Sequence, residues 1–401
     1  MKLRASLPSV TAALDALSLG LGGLAPAAAA PGSSSSASDP AAEAVPETAP
    51  PAPAAARAVS AADSAADQPL GAFYAAPSQL PQAPASRLKQ ESSPFYLGPA
   101  RAVRLGEAQS RIMYTTTDSD GAIVPVTGSF LESGSPWRGP GDRPLITYAV
   151  GTQGPHTYMD RLDQGHAVLD AARAVRDAGL GGTSAQTPVG IVGYSQGGGA
   201  AASAGELAAS YAPDLRVQAV ATGAPPADLS QVAAKIDNGL YNGFLMYTLS
   251  GLIESDGISP ASFLNSRGVQ LYTETVGECT TSAIAPTALI PTSSLTASGR
   301  SITELAGTEP FRSILDEQRL GASVAPSAPA LIVHSVSDDV IPYQTGRGLA
   351  ARWCAQGASV QFAPTLGAGH VGGYVTAQPH IPSFLKARFD GRAPVSTCGR
   401  L

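Results

Sequence analysis

The sequence predicts an α/β fold: an open, mostly parallel sheet covered by helices on both faces, with a helical domain inserted late in the chain. Apolar runs of strand length stand at Leu145–Val150, Val189–Tyr194, Val217–Ala221 and Ala330–Ser335, and runs of this kind read as strands buried on both faces. Helical spacing of apolar residues follows the first two, from about Met159 to Ala178 and from Ala200 to Tyr211, which gives the strand–helix alternation of a parallel sheet. Between the third and fourth strands lie roughly 100 residues of mostly helical or irregular character, too many for an ordinary connection. They predict an inserted cap at about 227–317.

The elements follow in chain order. Lys2 and Arg4 precede an apolar stretch containing Leu17, Leu19, Leu21 and Leu24, and Ala27–Ala30 close it; this is the order of a secretory signal peptide over residues 1–30. Asp15 and Pro8 break the stretch too often for a membrane span. Residues 31–90 are rich in Ala, Pro and Ser with no apolar period, and such a spacer cannot offset its ordering entropy. The folded domain is expected over 91–401. It opens on a hairpin, with Arg111–Thr115 as one strand, Asp118-Ser119-Asp120-Gly121 as the turn, and Val124, Val126 and Phe130 on the return.

A length of 401 residues is ample for such a domain. The net charge of −6 and the absence of a Lys/Arg run exclude a nucleic-acid partner, which needs a basic face. Cys279, Cys354 and Cys398 lack metal-type spacing. Cys354 with Cys398 is the preferred disulfide, fastening the chain end; three reduced, buried thiols are the alternative, since connectivity is not written in the sequence.

Chemistry concentrates after the second strand. Gly193-Tyr194-Ser195-Gln196-Gly197 stands between a strand and an Ala-rich helix, where two glycines permit the sharp turn of a nucleophile elbow. A serine hydroxyl needs a base, and the base needs an orienting carboxylate. Ser337-Asp338-Asp339-Val340-Ile341-Pro342 follows the fourth strand; Asp338 is preferred over Asp339 because it begins the Asp-x-x-apolar-Pro pattern. His370, on the Gly-rich loop after the strand-like Val360–Phe362, is the expected base. His380 lies too close to the last helix, and the scatter of His156, His166 and His334 offers no metal set, so these read as structural or exposed. Acyl transfer also needs two oxyanion donors. One is the backbone N–H of Gln196; the other belongs to the loop Gly151–Gly154, with Gln153 preferred and Thr152 second.

Five segments together resemble the secretory lipase family that includes Candida antarctica lipase A and its actinobacterial relatives: Ile146–Gly154, Val168–Ala174, Gly193–Gly198, Ser337–Tyr343 and Gly369-His370. The resemblance spans about Phe95 to Cys398. It implies an α/β-hydrolase fold, a helical cap over the site, secretion, no cofactor, and hydrolysis of triacylglycerols and other carboxylic esters at an oil–water or membrane interface. Val232, Ile236, Leu240, Phe244, Leu245, Leu249, Leu252 and Ile253 are then candidates for an acyl tunnel or for cap packing. An acyltransferase with the same three residues, and an inactive lipid-binding envelope protein, are the competing expectations. One departure stands out: family members carry a further helix and strand after the oxyanion segment, whereas here Gly154 leads almost directly into the next helix.

Overall fold

The computed structural model describes residues 71–97, 103–105, 108–152, 160–276, 278 and 280–401. The expected signal peptide, most of the expected spacer, Gln153, His156 and Cys279 lie outside the described residues.

Three strands form an antiparallel sheet in the order β1 (Arg87–Ser92), β2 (Ala108–Thr117), β3 (Ile123–Glu132). The β2–β3 turn closes because Asp118 Oδ1 accepts from the N–H groups of Asp120 and Ala122, and Gly121 takes a left-handed φ of 83°. β1 falls inside the stretch expected to be spacer, so the folded chain begins earlier than residue 91. Composition misjudges this segment because its order comes from backbone pairing with β2 and from Lys89, whose Nζ donates to the carbonyls of Ala72 and Phe73.

The second sheet is wholly parallel. Its order is β8 (Val360–Thr365), β7 (Ala330–Ser335), β6 (Arg216–Gly223), β5 (Pro188–Tyr194), β4 (Leu145–Ala149). β4 stands at one end and pairs directly with β5, so the chain after the oxyanion segment adds no strand beyond it among the described residues.

Alternation along the strands divides the core. Val189 and Ile191 face one side with Ile332, where α1 (Arg161–Asp177), α2 (Gln196–Tyr211) and α9 (Tyr343–Ala355) cover them through Leu169, Ala204 and Trp353. Val192, Tyr194, Leu331 and Val333 face the other side, under Phe384, Leu385 and Phe389 of α11 (His380–Phe389). Each fully buried large side chain of this kind contributes about 1.5–3 kcal/mol. α2 starts earlier than its apolar spacing suggests, because Gln196-Gly197-Gly198-Gly199 enter the helix straight from the elbow.

Between β6 and β7 the described chain carries six α-helices: α3 (Leu229–Ile236), α4 (Gly243–Asp256), α5 (Ser266–Thr275), α6 (Thr280–Thr287), α7 (Ile302–Ala306) and α8 (Phe311–Glu317). They hold a core of their own around Val232, Ile236, Leu245, Met246 and Leu295, which meets the sheet domain at Val340 and Ile341. Cys354 on α9 is disulfide-bonded to Cys398, which ties the chain end to the sheet domain.

Candidate active site

Ser195 sits on the turn between β5 and α2 with φ 63° and ψ −130°. This conformation is rare outside glycine, costs about 1–3 kcal/mol, and persists only where surroundings enforce it. They do so here. Ser195 N–H donates to the Gly223 carbonyl at 2.9 Å, and Gly199 N–H donates to the Ser195 carbonyl at 3.1 Å. A Cβ on Gly193 would strike the Gly197 carbonyl, and one on Gly197 would strike the Ala149 carbonyl. The two glycines of the motif are therefore steric requirements of the turn.

Asp338 and His370 converge on Ser195 from the carboxyl ends of β7 and β8. His370, at the start of α10 (Gly369–Ala377), has Nε2 2.8 Å from Ser195 Oγ and Nδ1 2.7 Å from Asp338 Oδ2. The second oxygen, Asp338 Oδ1, accepts the N–H groups of Val340 at 2.9 Å and Ile341 at 2.8 Å. Burial alone would raise the Asp338 pKa. The donors around it, His334 and His370 first and then the Ile341 N–H, overcome that and hold the carboxyl well below the usual carboxylate range. An anionic Asp338 requires the His370 Nδ1 to carry the proton, which leaves Nε2 bare toward the serine.

Two neighbours brace the histidine. Tyr194 Oη donates to the His370 carbonyl at 2.8 Å, and burial pushes that phenol far above its ordinary pKa, so it remains a donor. His370 N–H donates to Asp339 Oδ1 at 2.7 Å, and Asp339 Oδ2 accepts from Tyr241 Oη at 3.3 Å. The Asp339 carboxylate thus faces the backbone of the histidine, not its ring.

Of the oxyanion candidates, Gln196 is the first residue of α2 and buried, and Thr152 lines the same cavity as Ser195. Thr152 directs its carbonyl to Thr280 Oγ1 of α6 at 3.0 Å. Gly151 packs on the elbow, its Cβ position 3.9 Å from Ser195 Cβ.

The cavity over Ser195 has an apolar wall supplied by the insertion, through Leu229, Val232, Ile236 and Phe244, and by Val340 and Ile341. A second, more apolar cavity shares Leu229, Val232 and Thr248 with it and extends into the insertion between Leu245, Leu249, Leu252, Phe263 and Phe311. Among the tunnel candidates, Leu240 is instead exposed and Ile253 packs in the insertion's core.

The remaining histidines separate clearly. His166 stacks on Tyr211 at 3.8 Å and its Nδ1 meets the Thr117 carbonyl. His380 begins α11. His334 is fully buried on β7 with Nε2 3.0 Å from the Ile341 carbonyl and 3.5 Å from Asp338 Oδ2. Sequence reasoning missed its proximity to the site; the signal was its position four residues before Asp338 on a strand ending at the acid loop.

Known proteins resemble this chain in sequence and fold. The profile of the secretory lipase family matches residues 146–397. Lipase A of Moesziomyces aphidis is 28% identical over 256 residues, which is 60% of this chain and 54% of that protein. Lipase 2 of Candida albicans is 27% identical, covering 77% of this chain and 66% of that one. A probable inactive lipase of Mycobacterium tuberculosis is 30% identical over 57% of this chain and 52% of its own length. The chain thus spans about half to two thirds of the length of these relatives. Candida antarctica lipase A in its closed state superposes with a TM-score of 0.70 at 22% identity, covering 83% of this chain and 88% of that one. These likenesses establish the α/β-hydrolase fold, and the profile match establishes the lineage: the chain belongs to the secretory lipase family.

Proposed function

We propose that the protein is a secreted serine lipase or esterase that hydrolyses triacylglycerols and other carboxylic esters through an acyl-enzyme. The observation that carries this reading is the unbroken hydrogen-bonded line from Asp338 through His370 to Ser195 at 2.7 and 2.8 Å, opening on a cavity with an apolar wall. In the first half-reaction His370 Nε2 takes the proton of Ser195 Oγ as it attacks the ester carbonyl carbon. The N–H of Gln196 and a second N–H, from Gln153 or Thr152, receive the developing oxyanion. His370 returns the proton to the departing alcohol oxygen. Water then attacks the acyl-serine with the same base, and the acid leaves. The apolar cavities suit an acyl chain, and none of these steps calls for a cofactor.

Export fits the family and residues 1–30, with residues from 31 onward as a spacer and a lipid surface as the source of substrate. An acyltransferase would share every step up to the acyl-enzyme and differ only in its acceptor. Covalent labelling by a fluorophosphonate, together with hydrolysis of tributyrin and triolein, tests the proposal. Wild-type protein should label and hydrolyse; Ser195→Ala should do neither, with kcat lower by about 10⁴-fold or more. An unlabelled wild type would favour the alternative of an inactive, lipid-binding protein. Product analysis with and without an added alcohol separates hydrolysis from transfer.

A further inference from the structure

His334 has no part in the chemistry just described, yet it lies in the second layer of the acid. It occupies β7 on the face shared with Ala330 and Ile332, 1% exposed, with α9 packed over it. Its Nε2 points at two acceptors, the Ile341 carbonyl at 3.0 Å and Asp338 Oδ2 at 3.5 Å. A nitrogen facing a carbonyl and a carboxylate must carry the hydrogen, because two acceptors cannot bond each other. Its Nδ1 is buried without a partner, against Gly346 of α9, where a Cβ would overlap it. A proton there would be a buried donor with nothing to receive it. Both ends of the ring therefore select the Nε2–H tautomer.

The bond to Ile341 closes a loop whose other closures are the Val340 and Ile341 N–H groups on Asp338 Oδ1. Asp338 is thereby gripped on Oδ1 by its own loop, while Oδ2 is shared between His370 and the His334 side. A carboxylate held at both oxygens cannot rotate away from His370, and rotation is what a truncated loop contact would permit.

We propose that His334 is a positioning residue for the ester-hydrolysing site: its Nε2–H, anchored on the Ile341 carbonyl, fixes the plane of the Asp338 carboxylate and draws charge from Oδ2, so that His370 is oriented and its basicity set. This rests on the reading of Ser195, Asp338 and His370 as the catalytic set. The ionisable groups around the pair are Asp338 itself, His370 beyond it, Asp339 and Tyr194 on the site side, Tyr241 of the insertion on Asp339, and Tyr343 of α9, edge-on to His334 at 5.9 Å. Among them only His370 competes for Asp338 Oδ2.

The test compares wild type, His334→Phe and His334→Gln on a short-chain nitrophenyl ester over a range of pH. Phe keeps the ring and loses the donor; Gln can return an N–H near the Nε2 position. For His334→Phe, kcat should fall roughly tenfold or more with KM within about twofold, the scale of one hydrogen bond to a charged group. The acid limb of its kcat profile should move to higher pH, because an Asp338 relieved of this donor holds the His370 proton more tightly. His334→Gln should recover most of the loss. Equal losses in Phe and Gln variants, or a Phe variant with wild-type kcat and an unmoved acid limb, overturn the proposal. If the variants fold poorly, ¹⁵N NMR of wild-type histidines decides: His334 must show a protonated Nε2 and a bare Nδ1, and the opposite tautomer refutes the assignment. Failure of the underlying reading is separately visible as a wild type that neither hydrolyses the ester nor labels with fluorophosphonate.

Discussion

At the scale of single residues, the site depends on contacts that tolerate no extra atom. Gly197→Ala would drive a methyl into the Ala149 carbonyl, and backbone has nowhere to yield. Unfolding by urea should show a loss of about 3 kcal/mol or more, together with loss of fluorophosphonate labelling. Asp338→Asn is the milder lesion: the amide oxygen can still accept from Val340 and Ile341, but the charge that selects the His370 tautomer is gone. kcat should drop by about 10⁴-fold while the melting temperature changes little. That Ser195, Asp338 and His370 meet was legible in the sequence because the expected chemistry demands particular residue types in a particular order on strand-to-loop junctions. His334 was not, because its importance depends on which sheet face it occupies and which nitrogen bears hydrogen. Asp339 illustrates the same limit: a carboxylate beside the acid is assigned by the direction of its side chain, toward the His370 N–H, which adjacency alone does not convey.

Elements carry two further consequences. α3 and α4 share residues between the cavity over Ser195 and the apolar one behind it, with Thr248 common to both. Thr248→Trp would fill space at the wall the two cavities share, so kcat/KM for a long-chain ester should fall at least about tenfold more than for a butyrate ester. Steady-state kinetics on the two substrates checks this; equal falls would mean that the rear cavity takes no acyl chain. Elsewhere in the sheet domain, Glu206 of α2 accepts from Trp353 Nε1 of α9 at 2.8 Å and from Gly321 N–H at 2.7 Å. Burial pushes its carboxyl up to about 7, against partial relief from those donors and from Arg161 and Arg352. Because the folded protein holds this proton more tightly than the unfolded chain, stability is greatest below pH 4.5 as far as this group is concerned. It declines as pH rises through about 7. The decline amounts to roughly 3 kcal/mol from the difference in pKa. Glu206→Gln should flatten that part of the profile, measured as urea midpoints at pH 5 and pH 8. The helices and strands themselves were readable from apolar period, but their ends were not: α2 begins at the elbow, and β1 is a strand because β2 pairs with it, a partnership no local pattern encodes.

For the whole molecule, the disulfide between Cys354 and Cys398 closes a segment of 44 residues that contains β8 and His370. Loop-closure entropy assigns such a link about 4 kcal/mol, so Cys398→Ser should lower the melting temperature markedly and reductant should do the same to wild type. Calorimetry with and without reductant measures both. The sequence order of strands, insertion and motifs conveyed the architecture well, since a parallel sheet leaves few ways to connect them. The short stretch between Gly154 and the next helix also signalled that no strand follows β4 at its edge of the sheet among the described residues. The wide insertion between β6 and β7 has one more effect. Ser195 is synthesised 175 residues before His370, so the hydrogen bond between them cannot close until the last strand of the parallel sheet, β8, has been made.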